Sequence, residues 1–335
     1  MPSFCRHNRL LQNCPICARE QHVELRPVVS PGGQGTGQQR TGASRPNAGR
    51  GAGSPRTRAA AGRSATGVRV RQLTRGGDDG YRSSLVPGLK SSADAQRLAE
   101  ELAFGAARLA VLEHHPPGLY AEVADRSGDR EERTWLAFLI ACLGPLDGEQ
   151  PFAAISRVRT SWSSAALPDL AEAEVGPRGA LWAGGGARTL EAYRSWAARS
   201  GSQASAFTGE SDWTPERRFA RALERLALPR FPRGARFDLL TTLGRLGLYE
   251  MRAGALALGG TDEVTLAAKR VLGIGDPLLL ERRAAELASA CELPLEALDV
   301  GLYNWGQGTR AMLGMDASVQ ADPVARETAR AALGL

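Results

Sequence analysis

An all-α fold is predicted by three observations. From about residue 93 to the end, apolar residues recur at every third or fourth position. Runs of Val, Ile and Thr with strand-type alternation are absent, and helix start and stop residues punctuate the same stretch. At 335 residues and 43% hydrophobic content, the chain has enough apolar surface to bury a real core.

The elements follow in order. "AQRLAEELAFGAARLAVLEHH" (95–115) is amphipathic, whereas "TWLAFLIACLG" (134–144) is apolar nearly all round and is expected at the centre of the fold. "TLEAYRSWAARSG" ends on Gly201, a residue suited to the left-handed turn after a helix. "WTPERRFARALERLAL" opens with Thr214 as N-cap and Pro215 in the first turn. "GARFDLLTTLGRLGLYEM" follows, then two helices around "GIGDP", then "LPLEALDVGLYNWG", and finally "DPVARETARAALG". About nine helices in residues 93–335 are expected, with no internal repeat. Cys142 and Cys291, in apolar helical settings, read as small core residues.

What precedes residue 93 has a different composition. Three of the five cysteines and one of the four histidines stand in the first seventeen positions, as Cys5-x-His7 and Cys14-x-x-Cys17. Four such ligands close a tetrahedral zinc site with no open position, so residues 1–24 are expected to form a structural zinc knuckle whose folding energy comes from the metal. Chance spacing is the alternative. Residues 25–92 are expected to be a disordered linker, because Gly, Ser, Pro and Arg dominate and little apolar surface is available to offset chain entropy. Residues 25–77 hold ten arginines and no Lys, Asp or Glu, while the chain from Asp78 onward has 29 basic and 34 acidic residues. A basic arm on a mildly acidic body suits attraction to DNA by counterion release; a solubilising spacer is the alternative.

No apolar run reaches the roughly 18 residues of a membrane span, and the start lacks a secretory apolar segment, so a cytoplasmic, nucleoid-associated protein with no membrane partner is expected.

Within the helical region, Gly273-Ile274-Gly275 joins two helices and resembles the turn of a helix-hairpin-helix, whose backbone N–H groups face a DNA phosphate. The same stretch also reads as an ordinary corner, with Gly273 ending one helix, Asp276 capping the next and Pro277 at its first position. Asp299, 26 residues after Gly273, is a candidate general base or cation stabiliser, with a surface or capping role as the alternative. Arg236, Arg282 and Arg283 are candidate phosphate ligands, with solvation or pairing with the interleaved acidic residues as the alternative, and Lys269 is a candidate DNA contact. Trp135, Trp182, Trp196, Trp213 and Trp305 either stack on an extruded base or pack in the core.

Taken together, "HNRLLQNCPIC", "RTWLAFLIACLGPLDGEQPFAAI", "WTPERRFARALERLALPRFPRGARFDLLTTLGRLGLYE", "DEVTLAAKRVLGIGDPLLLERRAAELA" and "LEALDVGLYNWG" resemble the third clade of the alpha-glutamyl/putrescinyl thymine pyrophosphorylases. These are helical relatives of the helix-hairpin-helix DNA glycosylases. The resemblance spans about residues 93–315 and the first seventeen. It implies an enzyme that acts on DNA carrying pyrophosphorylated 5-hydroxymethyluracil and lets an amine, putrescine or glutamate, displace pyrophosphate. In that family Asp299 stands near the place of the essential glycosylase Asp, though a few residues further from the hairpin glycine. The hairpin here departs from the glycosylase pattern in lacking its Pro-Gly start and basic residue. A non-catalytic DNA-binding module and a scaffold whose knuckle recruits a protein partner are the rival expectations.

Overall fold

The computed structural model describes residues 76–164, 166–180 and 186–335. The chain divides into two units, Met1–Val68 and Arg69–Leu335, and all described residues belong to the second. The expected zinc ligands Cys5, His7, Cys14 and Cys17, most of the linker, and Trp182 lie outside the described residues.

Twelve helices and no strand occur among the described residues. The first six are α1 (Ser92–His114), α2 (Leu119–Ala124), α3 (Arg130–Leu143), α4 (Ala153–Val158), α5 (Ala187–Arg199) and α6 (Gln203–Thr208). The others are α7 (Pro215–Arg225), α8 (Arg233–Arg245), α9 (Glu263–Leu272), α10 (Pro277–Ala290), α11 (Leu295–Gln307) and α12 (Pro323–Leu333). The three not expected from periodicity, α2, α4 and α6, have six residues each, too short to show a repeat of three and four.

α3 is the central helix. Asp129 caps it by accepting from the Glu132 N–H, and every residue from Thr134 to Leu143 is buried. Its aromatic residues join a packed cluster with α5, in which the Phe138 and Tyr193 rings stack at 3.7 Å between centroids and Trp135 stacks on both. Trp135, Trp196, Trp213 and Trp305 are all buried, so none of them offers a ring face to a base.

α1 packs along α11, and small residues allow the close approach. A Cβ added at Gly301 would stand 2.7 Å from Leu102 Cδ2, and one added at Gly105 would strike the Ala297 carbonyl. Polar bonds fix the register: the Asn304 side-chain amide donates to Glu101 at 3.0 Å, and the Trp305 indole donates to the Asp94 carbonyl at 3.0 Å.

The ordered domain begins well before residue 93. Residues 76–91, expected in the linker, form an irregular strap with Val86 and Leu89 buried in the core. The Gly88 N–H donates to the Val271 carbonyl at the end of α9 at 3.0 Å, and Asp79 accepts from the Ser92 N–H at 2.9 Å. Two apolar side chains and these bonds offset the entropy of a short segment that composition alone assigns to the linker.

Candidate functional site

The site is assembled from a tetrapeptide that occurs twice, Pro-Arg-Gly-Ala at 177–180 and again at 232–235. The first copy closes the loop after α3. The Gly176 and Ala180 N–H groups donate to the Leu143 and Cys142 carbonyls at 2.9 and 2.8 Å, satisfying groups that the end of α3 leaves open. Between them Arg178 adopts φ 65°, a left-handed conformation that costs a non-glycine residue on the order of 1–2 kcal/mol. The second copy opens α8, with Pro232 at the N-cap.

Both arginines converge on Asp299 of α11. The Arg178 Nη2 donates to Oδ1 and the Arg233 Nη2 to Oδ2, each at 2.5 Å, and Asp299 has no accessible surface. Arg178 is held further by Asp238, through Nε at 2.6 Å and Nη2 at 3.1 Å. The Arg233 Nε donates to the Leu256 carbonyl at 2.8 Å, and its Nη1 lies 3.8 Å from Asp262. Burial pushes the Asp299 carboxyl up, but Arg233 and Arg178 outweigh it and hold the group below the usual carboxylate range. Arg178 moves the other way. Burial favours its neutral form, yet Asp238 and Asp299 together keep it more firmly charged than an ordinary arginine.

Asp299 therefore differs from the expected general base. With both oxygens engaged by guanidiniums and no path to solvent, it has neither the basicity nor the access to receive a proton from a substrate. It is a positioning residue for two arginines.

Arg178, but not Arg233, borders a cleft of about 590 Å³. Arg178, Arg230 and Gly234 line one part of it, Asp262 and Glu263 at the start of α9 another, and Tyr303 of α11 a third. Two features make the α8 end receptive to an anion. No side chain caps the N-terminus of α8, so its first N–H groups are open and carry the positive end of the helix dipole. Arg178, only 9% exposed, has a buried Nη1 with no hydrogen-bond partner, and its guanidinium lies 3.9 Å from where a Gly234 side chain would begin. Glu263 is exposed and forms no hydrogen bond or ion pair with a described residue.

The other expected residues are placed elsewhere. Gly273 ends α9 at φ 66°, its N–H donating to the carbonyl of half-buried Lys269 at 2.9 Å. Asp276 caps α10 by accepting from the Leu279 N–H at 2.9 Å. A carboxylate thus already occupies the helix N-terminus beside the Gly273-Ile274-Gly275 turn. Arg236 is half-buried and donates to the Leu223 carbonyl at 2.9 Å. Arg282 and Arg283 both pair with Glu286, and Arg283 also donates to the Ser84 carbonyl. None of these three arginines lines the cleft.

Among the described residues no group of three His, Cys, Asp or Glu could hold a metal ion, and no helix is long and apolar enough to cross a membrane. Sequence reasoning missed Arg178, Asp238, Asp262, Glu263 and Tyr303; the repeated Pro-Arg-Gly-Ala was the one signal that pointed to the first of them. No family model, curated protein or solved structure matches the chain, so the geometry of this cleft carries the functional argument.

Proposed function

We propose that the chain is a glycosylase-like DNA base-modifying enzyme that replaces pyrophosphate on a pyrophosphorylated 5-hydroxymethyluracil with an amine. The observation that carries this reading is the pairing of two kinds of group in one cleft. Arg178 and the open N-terminus of α8 suit a leaving pyrophosphate, and exposed Glu263, beside the α9 cap Asp262, suits an amine. In the reaction a neutral amine nitrogen bonds to the base methylene carbon, the carbon–oxygen bond breaks, and pyrophosphate departs with the electron pair. The ammonium so formed sheds a proton, and exposed Glu263 is the proposed acceptor. Asp299 contributes by fixing Arg178 and Arg233 before the charge develops.

The resemblance noted in the sequence supports the choice of substrate, and the Gly273-Ile274-Gly275 turn with Lys269 is the proposed DNA contact. Cys5, His7, Cys14 and Cys17 are proposed as the structural zinc site. The direct test is release of pyrophosphate from DNA bearing the modified base, with putrescine or glutamate supplied. Amine-dependent release supports the proposal. DNA binding without release under any amine would leave a non-catalytic DNA-binding module instead.

A further inference from the structure

A second cationic concavity lies beyond the other end of α8, about 20 Å along a helix of this length from the cleft. It is a bowl of about 550 Å³ that contains four arginines, Arg126, Arg130, Arg133 and Arg218. Their hydrogen bonds go to backbone carbonyls rather than to carboxylates. Arg130 donates to Leu248 at 2.6 Å, Arg133 to Val123 at 2.8 Å, and Arg218 to Thr208 at 2.5 Å and Glu250 at 2.6 Å. Such bonds orient a guanidinium without cancelling its charge. Arg126 makes no hydrogen bond or ion pair with any described residue.

The nearby acids compensate only in part. The Glu250 carboxylate is 3.8 Å from Arg218 and 88% exposed. Asp125 is engaged by Ser127 and Asp129 by the cap of α3. Burial is the main reason the Arg133 guanidinium is easier to deprotonate than usual; Asp125 opposes it, and Arg130 and Arg126 add to it. An anion in the bowl would offset the charge that the four arginines bring together. Its aromatic component is closed to a base: Tyr249 is buried, and the Arg130 guanidinium lies 4.2 Å over its ring.

We propose that this bowl is a phosphate site, in which Arg126, Arg130, Arg133 and Arg218 hold a phosphate group of a nucleic-acid backbone or of a free phosphate-bearing ion. The site does not depend on the base-modification reading, since it shares no residue with the cleft.

The test uses the full chain and Arg126, whose side chain can be changed without removing a bond. Arg126→Glu is expected to weaken binding of a short labelled DNA duplex about ten-fold at low salt, and Arg126→Ala to make the logarithmic salt slope shallower by about one. The control is Arg157→Glu, an exposed arginine outside the bowl with the same change in charge. It is expected to leave both quantities as in the wild type. Calorimetry with inorganic phosphate separates the sources. Loss of phosphate binding in Arg126→Glu with duplex binding unchanged assigns the bowl to a free ion. Unchanged binding of both probes, or equal losses in the Arg157→Glu control, would overturn the proposal.

Discussion

Replacing Asp299 by Asn tests whether this carboxylate serves the fold before it serves any chemistry. The side chain is fully buried and accepts two bonds of 2.5 Å from arginines whose side chains are only 2% and 7% exposed. Asn keeps the shape but removes the charge, and its amide NH₂ must face one guanidinium as donor against donor. Arg178 retains Asp238, whereas Arg233 retains only the Leu256 carbonyl and the more distant Asp262. Removing one partner of a buried ion pair costs about 3–5 kcal/mol, a large share of the roughly 5–15 kcal/mol that stabilises a typical domain. Urea unfolding at neutral pH, followed by circular dichroism, is expected to show that loss.

The pH dependence follows from the sign of the shift. Because the folded carboxyl titrates below its unfolded value of about 3.9, its stabilisation is complete above that pH and is lost as pH falls through the lower folded value. The gap between wild type and Asp299→Asn should therefore close in acid. A loss under about 1 kcal/mol at neutral pH, or a gap that stays constant into acid, would refute the clamp.

Three further outcomes are expected. Gly105→Ala, which drives a methyl into the Ala297 carbonyl at the α1–α11 contact, should destabilise by about 1–3 kcal/mol in the same unfolding assay, and an unchanged midpoint would contradict the packing. Gly275→Ala meets no atom within 4 Å, so stability should hold while DNA affinity falls if the turn's backbone approaches a phosphate; unaltered affinity would remove the turn as a DNA contact. Metal analysis of the full chain should find about one zinc, lost when Cys14 and Cys17 are both changed to Ser, and a zinc-free wild type would exclude the knuckle.

The helices were largely legible because their signals are local. Thr214 and Asp276 cap α7 and α10, each followed by Pro at the first position, and Gly201 turns left-handed at φ 87° just beyond α5. The unbroken apolar run of α3 announced its central place. The site was not legible in the same way. Asp299 stood out by its distance from Gly273, but its chemistry is set by Arg178, 121 positions away, and Arg233, 66 positions away. No periodicity encodes such a meeting. Of the candidate phosphate ligands, Arg282 and Arg283 pair with Glu286, while Arg178, which lines the cleft, sits in a loop with no periodicity to mark it. The strap at 76–91 was obscured for a related reason, since two apolar residues among many polar ones anchor it only through partners on other elements.

The central claim is that the cleft lets an amine displace pyrophosphate, and the measurement closest to it is pyrophosphate release by wild type and Glu263→Gln as the amine concentration is varied. The Glu263 side chain makes no hydrogen bond or ion pair with a described residue, so the variant should fold and bind DNA as the wild type does. The account predicts release that requires the amine in the wild type, and in Glu263→Gln a kcat lower by about 10²-fold or more, the usual contribution of a general base. Equal turnover by the two proteins would take Glu263 out of the reaction, and no release by the wild type with either amine would contradict the claim itself.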